Sequence, residues 1–207
     1  MRKTKKSTMI RHVGFPMLFL AALPVLVHAL PLLIPPSKAE KAVTEKAADR
    51  NTAIEILRDV SILPAPVARM RSAILGSAAG GNIEDMRVPV DMNEIPPMVA
   101  AEKVGDPIAY WKKLSGDGEG REILAVMIQL FRTGFVRKVS PAGSEMYVWP
   151  YFAEMPLDRL TPAQEVELLT LVPAARAKEM RAKGKYDHFR LAIGKDGVWH
   201  FFQAGAQ

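Results

Sequence analysis

Hydrophobic positions along the chain fall into three regimes. Val13 to Ile34 run 22 residues without a formal charge, behind the basic start MRKTKKSTMIRH. From residue 40 to 133 the apolar residues recur at helical spacing. From Phe135 onward they fall in short runs of the kind strands use. Each regime predicts a different structure.

In the second regime, residues 40–60 read as a helix, with Ile54, Leu57 and Val60 near one face and Glu55, Arg58 and Asp59 facing away. Pro64-Ala65-Pro66 interrupts the chain. A second helix is expected over 67–79, burying the stripe Val67, Met70, Ile74 and Ala78, and Gly80-Gly81 supplies its left-handed stop. Asn82 can cap a short turn through Arg87, and residues 88–104, with Pro89, Pro96 and Pro97, read as irregular. Asp106-Pro107 is a cap followed by proline at the first helical position, so a helix through Leu114 follows. After the glycine-rich loop 115–120 comes the most apolar helix, 121–133. Apolar side chains cover more than half its circumference, which places it centrally in a core.

In the third regime, 135–139 and 145–149 read as a β-hairpin across Ser140-Pro141-Ala142-Gly143-Ser144. Thr161-Pro162-Ala163-Gln164 is a capping box that starts a helix to about Val172. Pro173 starts another, closed by Gly184. Residues 187–193 and 198–203 flank the turn Lys195-Asp196-Gly197 as a second hairpin. The expectation is a single α+β domain over 40–207: N-terminal helices, then a mainly antiparallel four-stranded sheet of two hairpins with intervening helices.

The first regime predicts a leader at 1–39. A basic n-region, an apolar run and small residues before a cleavage point make a secretory signal. Ser37 and Ala39 fit a cut before Glu40, and Val27 and Ala29 an earlier one. The competing reading is an uncleaved anchor at 13–34, long enough to span a bilayer although Pro16, Pro24 and Pro31 interrupt it. Both readings put the body outside, by the positive-inside rule. The destination is then periplasmic or secreted, or tethered to the inner membrane with a periplasmic domain.

Charge changes the picture once its position is noted. The net charge of +6 belongs to the leader, because six of the 28 basic residues and no acidic residue lie in 1–39. Residues 40–207 hold 22 of each sign, without the basic stripe that nucleic acid requires. No nucleic-acid partner is expected. Cysteine is absent, which excludes disulfides, thiol nucleophiles and thiolate metal sites.

Catalytic patterns are thin. Ser115, Asp117 and Glu119 could begin a calcium loop, but Val126 occupies the position where a bidentate carboxylate is needed. His188 and His200 sit on neighbouring strands with Asp187 beside the first, too few ligands for a zinc site. Ser144 with His188 and Asp187 would be a triad by residue type alone. Glu145 and Glu154 are carboxylates with no separation set by sequence. No metal or cofactor is expected. The best recognition candidates are Tyr147, Trp149 and Tyr151, joined by His188, Trp199 and His200, since such side chains combine a large apolar face with a polar tip. The alternative is that these aromatic residues form the core where sheet and helices meet.

The helix from Val67 leading into Gly80-Gly81-Asn82-Ile83-Glu84-Asp85-Met86, and the closing run Gly194-Lys195-Asp196-Gly197-Val198-Trp199-His200-Phe201-Phe202, resemble the nuclear-transport-factor-2-like domains. The resemblance implies a cone-shaped fold that hosts both enzymes and binding modules. The chain as a whole looks like a secreted protein of Gram-negative bacteria. Together these readings predict a non-enzymatic domain binding a small ligand or an envelope protein through an aromatic-lined concavity. The alternatives are a cofactor-free hydrolase or isomerase using Asp187, His188 or His200, and a membrane-anchored envelope scaffold.

Overall fold

The computed structural model describes residues 54–205. The leader expected at 1–39, the alternative anchor at 13–34 and most of the helix expected over 40–60 lie outside the described residues. No helix among the described residues is long and apolar enough to cross a membrane.

The fold is α+β, with helices before and between the strands of a four-stranded antiparallel sheet. The helices are α1 (Ala65–Ala79), α2 (Arg87–Asp91), α3 (Pro107–Leu114), α4 (Arg121–Leu130), α5 (Pro162–Leu171) and α6 (Ala174–Lys183). The strands are β1 (Val136–Val139), β2 (Glu145–Trp149), β3 (Arg190–Gly194) and β4 (Trp199–Gln203), in spatial order β1-β2-β3-β4. Local chemistry explains most boundaries. The α1 stripe Val67, Met70, Ile74 and Ala78 is buried throughout. The Asp106 carboxylate accepts from the Ile108 N–H at the start of α3. Both reciprocal bonds of the Thr161–Gln164 capping box open α5. Gly184, at φ +68°, closes α6.

Three sequence expectations change. Residues 54–59 are not helical: Leu57 exchanges two 2.8 Å backbone hydrogen bonds with Phe135 as an isolated antiparallel bridge, and a 3-10 turn (Val60–Ile62) follows. Pairing with the sheet satisfies the Leu57 backbone and outweighs the helical periodicity. Residues 88–91, expected as irregular, lie in α2, because Pro89 falls in its first turn, where the missing N–H costs nothing. Helix α4 ends at Leu130, since the Arg132 and Thr133 N–H groups turn back to the Gln129 and Leu130 carbonyls.

Helices pack on both faces of the sheet. Tyr147, Trp149, Leu191, Ile193, Trp199 and Phe202 join α1, α3 and α4 in one core. Val136, Val148, Ala192 and Phe201 join Phe152, Leu168, Ala177, Met180 and Tyr186 in the other. Simple alternation would set Trp199 and Phe201 on one side and His200 with Phe202 on the other. A register shift between Ala192 and Ile193 pairs Ile193 with Trp199 and Ala192 with Phe201, which leaves His200 as the extra residue of a bulge. The bulge swings Trp199 onto the face of Phe202 and leaves His200 exposed.

The outer edge of β4 is occupied. The Asn93 side-chain amide bonds both backbone groups of Trp199, accepting from its N–H and donating to its carbonyl at 3.1 Å each. Met98 donates its N–H to the His200 carbonyl and accepts from the Phe202 N–H, both at 2.9 Å.

Candidate functional site

The six recognition candidates do not converge on one concavity. Trp149 and Trp199 are fully buried, and Tyr147 lies in the same core. Trp149 packs against Phe135 at 4.9 Å and edge-on to Phe131 at 5.2 Å, while Trp199 stacks on Trp111 at 5.5 Å. Tyr151 lies in the core of the opposite face. Its aromatic body packs on Phe152, and its hydroxyl donates to Glu167 at 2.8 Å. In this respect the stretch 147–152 follows the core alternative.

The two histidines are also apart. His188 precedes β3, at the end of the hairpin where Arg190 faces Gln203, whereas His200 sits near the turn, beside the Ile193–Trp199 pair. At about 3.3 Å per residue, the intervening strand separates them by roughly 15 Å. His188 is half-buried, edge-on to Phe189, and burial together with the Arg176 charge lowers its pKa. The Asp187 carboxylate is bonded to Arg176 at 2.7 Å and Lys183 at 3.2 Å, and so is committed to two cations. Ser144 precedes Glu145, whose carbonyl accepts from the Lys195 N–H at the far end of β3 from His188. The hairpin register thus holds the members of the sequence-level triad apart. Glu145 pairs with Arg137 and Lys195, and Glu154 with Lys138.

The glycine-rich loop has a structural occupation. The Asp117 carboxylate accepts from the backbone N–H groups of Glu119, Gly120 and Arg121 and from the Ser115 hydroxyl, which holds its pKa below the usual range. These bonds cap the start of α4. No cluster of three or more potential metal ligands occurs among the described residues.

Concavities lie elsewhere. Beside the covered edge of β4, residues 95–105 with Pro107 and His200 enclose a groove of about 650 Å³. Ile95 (76% exposed) and Met98 (46% exposed) present apolar surface there, and Glu102, Lys103 and His200 are its ionisable groups. His200 is the one recognition candidate that lines it. A smaller cavity of about 350 Å³ lies between the second core and the loops after β2 and α6, with Lys138, Glu154, Lys185 and Arg190 in its wall. A third, of about 680 Å³, adjoins Arg58 and Glu167. Burial pushes the Glu167 carboxyl up, but hydrogen bonds from Arg58, Tyr151 and the Gly134 N–H outweigh it and hold the pKa below the usual value.

Sequence reasoning missed Met98 and Arg190. Nothing local marks Met98, which owes its position to pairing with a strand a hundred residues away. Arg190 did carry a signal. It alternates with Ala192 in an apolar strand, so a sheet covered on both faces must bury it.

Compared with known protein families, curated proteins and solved structures, the chain has no significant match.

Proposed function

We propose that the chain is an exported, non-enzymatic binding domain, and that the groove beside β4 takes a small, mostly apolar ligand with one polar group facing His200. The observation that supports this is the groove's composition. Its volume falls within the roughly 300–1,000 Å³ common for small-molecule sites, which are largely apolar with a few placed polar groups. The bulge leaves His200 out of the core, and His200 is among the residues that line that space. A role outside the membrane rests on the basic, apolar and small-residue order of 1–39.

Nile red, a neutral apolar dye, tests the groove. Saturable binding to the folded protein is expected, weakened about tenfold or more by Met98→Asp, since an apolar ligand would have to strip water from a carboxylate there. Saturable binding that Met98→Asp leaves unchanged would place the dye elsewhere and remove the reading.

Export is tested separately by intact mass of the full chain made in a Gram-negative host. A periplasmic species beginning at Leu30 or Glu40 is expected. A full-length cytosolic product would end the exported reading and leave the groove untouched.

A further inference from the structure

The smaller cavity holds an unusual charge. Arg190 is only 6% exposed, and its Nε and Nη2 are buried without a hydrogen-bond partner among the described residues. A buried guanidinium ordinarily has its donors satisfied, because desolvating a cation without a partner is costly. The side chain lies over the Phe201 ring, with its central carbon 5.1 Å from the ring centroid, so the aromatic face offsets part of that cost. Burial lowers the arginine pKa, the direction expected of a cation short of anionic neighbours.

The carboxylate in the cavity wall does not serve as its partner. Glu154 lines the same cavity but is bonded to Lys138 at 2.8 Å, and it draws Arg190 only through longer-range attraction. Lys185 completes the wall. The cavity therefore gathers three cations against one carboxylate, an excess of two positive charges inside a neutral body. Nearby hydrogen-bond groups are otherwise engaged: the Tyr186 hydroxyl donates to the Phe189 carbonyl, and the Gly184 carbonyl accepts from the Leu157 N–H.

We infer that this cavity binds a phosphate dianion, free or as a small phosphomonoester, against Arg190 with Lys138 and Lys185 at the rim. A dianion matches the excess charge, and Arg190, whose Nε and Nη2 are closed off from the cavity in the free protein, turns its planar fork outward to meet the phosphate oxygens. The site is independent of the groove beside His200.

The test is thermal stability and calorimetric binding of the full chain with rising inorganic phosphate, against chloride at equal ionic strength. Saturable stabilisation by phosphate is expected. Arg190→Leu should weaken binding about 10- to 100-fold, the size of a charge-assisted hydrogen bond. Arg190→Lys keeps the charge and loses the fork, so it should fall between. Lys138→Ala, at an exposed rim position, should weaken binding without unfolding the domain. It decides the matter should both arginine variants fail to fold. Glycerol 3-phosphate and dihexanoyl phosphatidic acid, each soluble, distinguish a metabolite phosphate from a lipid headgroup, and preferred binding of either supports the site. No phosphate response beyond chloride, or full binding by folded Arg190→Leu or Lys138→Ala, overturns it. Met98→Asp should leave the phosphate response unchanged, which separates failure here from failure of the groove.

Discussion

Replacing Trp149 with alanine is expected to lower the unfolding free energy by about 3–5 kcal/mol, a large share of the roughly 5–15 kcal/mol that holds an ordinary domain folded. The indole is fully buried between Phe131 and Phe135 on the face that α1 and α4 cover, so truncation opens a cavity that rigid neighbours cannot fill. Trp149→Phe separates packing from hydrogen bonding. The indole Nε1 is buried without a partner among the described residues, so phenylalanine removes an unsatisfied donor along with some volume. Its cost should therefore fall well below that of alanine. Urea unfolding followed by far-UV circular dichroism measures both. A folded Trp149→Ala protein of near wild-type stability that has lost binding of a ligand would return this residue to a recognition role.

The second large effect belongs to Glu167. Glu167→Ala strips the acceptor from the Tyr151 hydroxyl at 2.8 Å, from the Gly134 N–H at 3.1 Å and from the Arg58 guanidinium. Leaving the buried Tyr151 and Gly134 donors unmatched should cost about 1–3 kcal/mol, while the largely exposed Arg58 pair adds little. The carboxylate also makes this contribution pH-dependent. Because its folded pKa lies below the unfolded value of about 4.3, its stabilisation is complete above that value and lost as pH falls through it toward the folded pKa. The stability gap between wild type and Glu167→Ala should narrow from pH 7 to pH 3. An equal gap at both values would mean that the charge of Glu167 contributes nothing.

What the sequence revealed follows how local each determinant is. Asp106-Pro107, the Thr161 capping box, Gly184 and the Lys195-Asp196-Gly197 turn act within a few residues, and each stands where the residues predict. The α+β class follows from those pieces. Leu57 pairs with the sheet instead of continuing a helix, because its bonds go to Phe135. The side on which Trp199 packs could not be read from alternation, since the bulge at His200 is set by pairing with β3 and by the edge contacts of Asn93 and Met98. The candidate concavities were hidden for the same reason. Their walls come from segments far apart in sequence, whereas the aromatic run 147–152, conspicuous along the chain, serves mostly to fill the cores.

The blocked flank of β4 bears on how the molecule behaves in company. An open strand offers a row of ready donors and acceptors on which an incoming chain can extend a fibril. Here a carboxamide and one methionine backbone take up those positions, and on the opposite border Arg137 and Lys138 set charges along β1. Removing the Asn93 carboxamide should expose a self-templating seam and turn the protein toward ordered clumping at high concentration.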